Sequence, residues 1–320
     1  MYKPSDKTSW RGRTDLPDGG LGQRWHQVVQ VVDLSSEIPS GGGNVAFLGF
    51  CCDEGVRRNQ GRVGAAAGPD AIRQAMSPFA EHLPDGAQLF EAGDVICPNQ
   101  QLEEAQVQLG RKVELLLKKG YRPLLLGGGH ETAYGHFLGI RTFLKEGEKL
   151  GIINFDAHFD LRSVEPFPSS GTPFLQIAQD LEKAGQPFHY FCLGIQEYGN
   201  TRKLFQTADQ LGAEYITAQA LQSEEKNSHL FQIKSFIQKV DRLYVSIDLD
   251  VFAAAFAPGV SAPTSLGLFP QDFLPLLREI LNSGKVLSMD VVELNPIFDS
   301  DHRTAKLAAS LIYQMVEAWR

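Results

Sequence analysis

Four short apolar runs in this chain each end on acids or histidines. Leu124-Leu125-Leu126 leads into Gly127-Gly128-Gly129-His130-Glu131, and Ile152-Ile153-Asn154-Phe155 into Asp156-Ala157-His158-Phe159-Asp160. Tyr244-Val245-Ser246-Ile247 leads into Asp248-Leu249-Asp250, and Met289-Asp290-Val291-Val292 into Glu293-Leu294-Asn295-Pro296. Such runs read as strands, and an extended chain points alternate residues to one side. Asp156, His158 and Asp160 are therefore expected to face one point, as are Asp248 and Asp250. Four carboxylates and two imidazoles around one point repel unless cations lie among them, because burying an unpaired charge costs several kcal/mol. Two divalent ions bring about +4 against the −4 of the four aspartates. An oxygen-rich set with two histidines suits Mn(II), with Fe(II), Co(II) or Zn(II) as substitutes.

Blander readings compete with each motif taken alone. An Asp-x-Asp after a strand also caps helices or turns and serves Mn-dependent glycosyltransferases. A histidine after three glycines also packs or caps, and these glycines match neither GxGxxG nor GxxxxGK[ST]. Asp-x-His-x-Asp is much harder to explain without a metal. His136 lies six residues beyond His130, about 240° around a helix, and is expected to point away as a core or surface histidine. His26, His82, His189, His229 and His302 sit in no ligand spacing. Cys51-Cys52 reads as core strand, with no local base to activate a thiol.

The elements that must position these residues alternate. Apolar runs at Val45 to Cys51, Gln88 to Glu91, Arg122 to Leu126, Lys149 to Phe155, His189 to Gly194, Glu214 to Thr217, Leu243 to Ile247 and Lys285 to Val292 read as strands. Helical patterns begin at Gly68-Pro69-Asp70 and cover Glu103 to Lys119, Thr172 to Ala184, Leu230 to Val240, Pro270 to Asn282 and Asp301 to Arg320. This alternation predicts a single α/β domain of three layers, with a mostly parallel sheet of about eight strands and helices on both faces. The four motifs then lie at the carboxyl ends of strands, where open α/β sheets hold their sites. Ser40-Gly41-Gly42-Gly43-Asn44 separates an N-terminal arm, residues 1–44, from the catalytic domain, residues 45–320. The arm is expected to pack on the domain, since Trp10 and Trp25 would otherwise stay wet.

Composition narrows the classes further. With 43% hydrophobic and 21% charged residues the chain is an ordinary globular one. A net charge of −8 without a basic stripe points away from nucleic-acid and anionic-membrane partners. The polar start, Met1 to Gly20, lacks the apolar core of a signal peptide, and no apolar stretch approaches ~18 residues. A cytoplasmic location is expected, and a homo-oligomer stays open. The 4 cysteines form no CxxC pair and read as reduced thiols.

These motifs, in this order, resemble the ureohydrolase superfamily of arginases and agmatinases. The resemblance covers residues 45–320 and includes Gly55-Val56-Arg57-Arg58-Asn59 through Gly68-Pro69-Asp70-Ala71-Ile72-Arg73. It implies a single α/β domain with an eight-stranded parallel sheet and a binuclear manganese site. In the family's pattern His130, Asp156, Asp160 and Asp248 would hold one ion, and Asp156, His158, Asp248 and Asp250 the other, with Asp156 and Asp248 bridging. Two departures are informative. Gly129 and Glu131 give GGGHE in place of GGDHS, and Ser170-Gly171-Thr172-Pro173 stands where HG-x-P is usual, so Ser170 replaces the arginase proton-shuttle histidine.

Those departures, with Trp10-x-Gly12-Arg13-x-Asp15 and Arg24-Trp25-His26-Gln27, are similar to the formimidoylglutamase branch. That likeness implies hydrolysis of the linear amidine N-formimidoyl-L-glutamate to L-glutamate and formamide, a step of histidine degradation, by a hydroxide bridging two Mn(II) ions. Glu293 would pair with the cationic formamidine, and Asp160 would take the nucleophile's proton. The substrate is small and acidic. Arg162, where arginases commonly carry an asparagine that meets substrate carboxylate, suits such a molecule. Arg57, Arg58, Arg62, Arg202 and Lys203 are further candidates for its second carboxylate, with Asn200 and Thr201 as neutral donors. An agmatinase or another guanidino-acid hydrolase of the same fold is the runner-up. A catalytically silent metal-binding paralogue is disfavoured, because all six ligand positions and Glu293 are present.

Overall fold

Along strand β3 (Val45–Cys51), Val45 and Phe47 enter one apolar core while Ala46, Leu48 and Phe50 enter another. A strand buried on both faces belongs to a parallel sheet covered on both sides. The computed structural model describes residues 1–15, 20–84, 86–223 and 226–319. Arg320, the expected end of the last helix, and residues 16–19 of the arm lie outside them.

The other long strands are β4 (Leu89–Ile96), β5 (Arg122–Leu126), β6 (Leu150–Phe155), β7 (His189–Ile195), β8 (Glu214–Thr217), β9 (Arg242–Asp248) and β10 (Val286–Val292). They run parallel in the order β4-β3-β5-β10-β9-β6-β7-β8. Two further strands, β1 (Tyr2–Lys3) and β2 (Gln30–Val31), both pair with β4. The sheet thus has ten strands among the described residues, not the eight expected. Two-residue strands carry no periodicity for a sequence reading to detect; the free edge of β4 recruits them. β4 itself runs past the expected end at Glu91, because Gly93, at φ 76°, absorbs the irregularity within the strand.

Helices Gly68–Met76, Lys226–Gln238, Pro270–Asn282 and Arg303–Ala318 cover one face, and helices Leu102–Lys118, Thr132–Phe143, Pro173–Lys183 and Arg202–Gln210 the other. The result is the single three-layer α/β domain that the alternation predicts. Helix Arg202–Gln210 was not anticipated, and Thr132–Phe143 entered the sequence reading only through the helical turn counted from His130 to His136. Thr132–Phe143 contains Gly135 and Gly139. Their role is close packing: a Cβ on Gly139 would come within 2.4 Å of the Gly110 carbonyl in the neighbouring helix. Helix Arg202–Gln210 is largely polar and buries only Leu204 and Ala208.

From the N-terminal segment, Trp10 and Trp25 pack against Phe47 at ring separations of 5.8 and 6.2 Å. Trp10 Nε1 donates to Glu91 at 2.8 Å. Among the described residues no helix is long and apolar enough to cross a membrane.

Candidate metal centre

The four motifs follow β5, β6, β9 and β10, which are neighbours in the middle of the sheet. Their carboxyl ends open into one crevice, the usual place for a site in an open parallel sheet. Convergence within each motif arises differently from the expected alternation of an extended chain. The Asp156 carboxylate accepts the His158 N–H at 2.7 Å, and the Asp248 carboxylate accepts the Asp250 N–H at 2.7 Å. Each first aspartate folds the chain back on itself. Asp250 consequently sits in a 3₁₀ turn, Leu249–Val251, not on the strand.

Within the four motifs two residues other than glycine carry left-handed backbone, Asp160 at φ 50° and Glu293 at φ 68°. For residues other than glycine this conformation costs about 1–3 kcal/mol, and it gathers at functional sites. A hydrogen bond from the Glu293 N–H to the Gly128 carbonyl, 2.8 Å, joins β10 to the glycine run.

His130 Nδ1 lies 3.1 Å from Asp156, 3.0 Å from Asp160 and 3.1 Å from Asp248. His158 Nδ1 lies 3.0 Å from Asp250 and 3.6 Å from Asp156. The ligand atoms therefore form two sets, His130–Asp156–Asp248 and Asp156–His158–Asp250, which share Asp156. His130 Nε2 faces the Ser246 hydroxyl at 2.9 Å, and that hydroxyl gives its own proton to Asp290. Nε2 is thus the donor. Nδ1 has no hydrogen-bond partner although it is buried against three carboxylates. A bare lone pair amid anions is what a divalent cation requires, and the donor set fits Mn(II).

The charges agree. Burial raises the carboxyls of Asp160, Asp248 and Asp250 above the ordinary range, reinforced by Asp156 in each case and by Asp250 at Asp248. Burial opposes ionisation of Asp156 as well, but the imidazoles of His130 and His158 beside it pull it below that range. Both imidazoles are disfavoured as cations by burial, yet the surrounding carboxylates push them well above the usual histidine value. In the absence of cations the centre holds protons instead.

A cavity of about 330 Å³ opens over the centre. His158, Asp160, Asp248, Asp250 and Glu293 form its floor, and Asn59, Arg62, Arg162, Ser170, Asn200 and Ser261 stand around it. Glu293 Oε1 accepts the His130 N–H at 2.8 Å, while its buried Oε2 has no partner. Burial, and then the charge of Glu131, hold the Glu293 carboxyl well above the usual range.

The arginase family model matches residues 43–317. The chain belongs to the arginase family. It is an enzyme, 42% identical over 320 residues to the formimidoylglutamase of Geobacillus thermodenitrificans, spanning 100% of this chain and 98% of that protein. The crystal structure of Trypanosoma cruzi formiminoglutamase with Mn2+ superposes with a TM-score of 0.77 at 26% identity, over 89% of this chain and 96% of that one. Formimidoylglutamase from Bacillus subtilis superposes with a TM-score of 0.81 at 22% identity, over 92% and 91%, and shows the arginase-like fold.

Around this arginase-family centre the residues singled out from sequence divide. His130, Asp156, His158, Asp160, Asp248, Asp250 and Glu293 come together. Ser170 is buried at the cavity wall and accepts from Asn59 at 3.2 Å, and Arg162 stands at the exposed rim. Asn200, expected to offer a neutral donor, uses its amide on backbone instead. It accepts from Phe159 N–H at 3.1 Å and donates to the Ala157 and Gln196 carbonyls at 2.9 Å each, which braces the Asp156–Asp160 loop. Arg57 is held by Glu54 at 2.6 Å and does not line the cavity; nor do Arg58, Arg202 and Lys203. Arg62 does. Its guanidinium donates to the Val260 and Ser261 carbonyls and lies over the Phe298 ring at 4.1 Å.

Ser261 was missed, since it sits in a loop with no local pattern, and Asn59 was quoted only within the Gly55–Asn59 segment, without a role at the site. Glu131 was seen only as a departure from the family motif. Its side chain is buried against Gly55, whose N–H it accepts at 2.8 Å, and burial pushes its carboxyl up to about 7.

Proposed function

We propose that this arginase-family enzyme hydrolyses N-formimidoyl-L-glutamate to L-glutamate and formamide. One observation carries the reading: a single cavity joins a floor of carboxylates and Glu293 to walls bearing Arg62 and Arg162. A ligand suited to it has a cationic amidine at one end and carboxylates at the other. The full-length likeness to formimidoylglutamases supports the same substrate.

We assign two Mn(II) ions per chain to the centre, one held by His130, Asp156, Asp160 and Asp248 and the other by Asp156, His158, Asp248 and Asp250. Fe(II), Co(II) or Zn(II) are chemically acceptable substitutes. Such ions, when bound, supply Lewis acidity and lower the pKa of a water between them from about 15.7 toward ~7. The residues supply the rest. Glu293, fixed through Oε1, keeps Oε2 for the amidinium N–H. Asp160 is the group closest in role to a base: it is half-buried, faces the cavity and takes the proton that water loses on attacking the amidine carbon. The bond to the glutamate nitrogen then breaks, the water oxygen stays with formamide, and the proton passes to the departing nitrogen. Ser170 accepts from Asn59, so its own O–H remains free to donate into the cavity. Arg162 and Arg62 receive the two carboxylates.

We place this activity in the cytoplasm, in a catalytic domain of residues 45–320 carrying the arm 1–44. The deciding experiment is a substrate panel, with and without Mn(II), of formimidoylglutamate, agmatine, arginine and 4-guanidinobutanoate. Mn-dependent turnover should favour formimidoylglutamate; preference for agmatine would overturn the reading.

A further inference from the structure

We propose that His136 is a positioning residue for the metal centre, acting through Asp290 and Ser246 on His130. The inference rests on the metal reading above. His136, Ser246, Ser288 and Asp290 are all 0% exposed, and with Tyr244 they form a polar line through an otherwise apolar layer between the sheet and helix Thr132–Phe143. Such a network is costly in a core unless each group is satisfied.

It is satisfied in one sense only. The Asp290 carboxylate accepts from the Tyr244 hydroxyl, from Ser246 at 2.6 Å and from His136 Nδ1 at 2.7 Å. His136 Nε2 meets the Ser288 hydroxyl at 2.5 Å, whose own proton goes to the Pro123 carbonyl at 2.8 Å. Both nitrogens of His136 face oxygens, so the ring braces the Asp290 carboxylate on one side and the Ser288 hydroxyl on the other. Ser246, having given its proton to Asp290, offers only lone pairs to His130. His130 must then carry its proton on Nε2 and turn a bare Nδ1 toward Asp156, Asp160 and Asp248.

Remove His136, and the buried Asp290 carboxylate keeps only the two hydroxyl donors and loses the ring that fixes it beside Ser246. A carboxylate no longer held in place leaves the Ser246 hydroxyl free to rotate and donate to His130 Nε2. The His130 proton then moves to Nδ1, where it blocks the cation.

The test is Mn(II) affinity, measured by equilibrium dialysis and metal analysis on the full chain, with folding followed by circular dichroism. His136→Phe should weaken binding about 10- to 100-fold. Asp290→Asn, an isosteric change that also removes the charge Ser246 answers to, should do the same and covers the case in which His136→Phe fails to fold. Ser246→Ala should lose a similar factor, and adding His136→Phe to it should cost nothing further, because the effect travels through that hydroxyl. A folded Asp290→Asn protein with wild-type affinity, or losses that multiply in the double variant, would overturn the proposal. Wild-type protein that takes up no Mn(II) would instead defeat the metal reading itself.

Discussion

The backbone N–H of His130 donates to Oε1 of Glu293 across 2.8 Å, tying the end of β5 to the end of β10 and dividing the labour of one carboxylate. One oxygen is spent on the scaffold, and the other is buried, unpartnered and directed to no protein donor. That division makes Glu293 testable separately from the metal ligands.

Glu293→Gln keeps an acceptor for the His130 N–H but removes the charge opposite a cationic amidine. A charge-assisted hydrogen bond is worth roughly 1.5–3 kcal/mol, so kcat/KM for formimidoylglutamate should fall by about one to two decades. Manganese content should stay at the wild-type level. A parallel loss of metal would move Glu293 into the coordination sphere.

Asp156 belongs to both ligand sets, and its replacement should be the most damaging to loading. Asp156→Ala, and Asp248→Ala likewise, should abolish binuclear metal uptake and most activity. The apo fold should survive, because the two apolar cores flanking the sheet do not involve the metals. Metal analysis and far-ultraviolet circular dichroism read both; two metals per chain in Asp248→Ala would refute the assignment.

Arg162→Ala should raise KM for formimidoylglutamate by about one to two decades, the worth of a charge-assisted bond to carboxylate. Arg62→Ala should do so as well, with some loss of stability, since Arg62 also bonds Ser261 and Val260. Turnover of formamidine, which has no carboxylate, should barely change in Arg162→Ala. Equal losses with both substrates would make that arginine part of the scaffold.

Without cations, Asp160, Asp248, Asp250 and Glu293 are raised by burial, and His130 and His158 are raised by the carboxylates that outweigh their own burial. Asp156 alone shifts down. On balance the folded apo protein binds more protons than the unfolded chain. Raised groups contribute stability that is complete below their unfolded values, about 4 for carboxyls and 6.5 for histidine, and lost as pH rises through the folded values. The Tm of the apo protein should therefore fall between pH 5 and 8, by about 2 °C per pH unit for each extra proton held. The manganese-loaded protein should not follow, so the gap in Tm widens as pH rises. Scanning calorimetry with and without chelator measures it; an apo Tm that rises with pH would contradict the charge balance.

Local pattern alone determined the strands that carry chemistry. β3, β5 and β8 begin and end where the apolar runs do, and the acids and histidines after β5, β6, β9 and β10 stood out because such residues end a buried strand for a reason. Their convergence on one crevice followed from the parallel sheet. Tertiary structure decided what depends on contacts between distant segments. Only the strand order β5-β10-β9-β6 makes Glu293 a neighbour of His130, 163 residues away. Only packing shows that Asn200 braces a loop, that Arg57 is taken by Glu54, and that Arg62 reaches the cavity. A long polar side chain has many partners within reach, and nothing in its own neighbourhood of sequence says which one it meets. His136 is the sharpest case. Helical geometry turned it away from His130, and the fold connects the two through Asp290 and Ser246, because side chains on β9 and β10 line up across the sheet only when those strands pair.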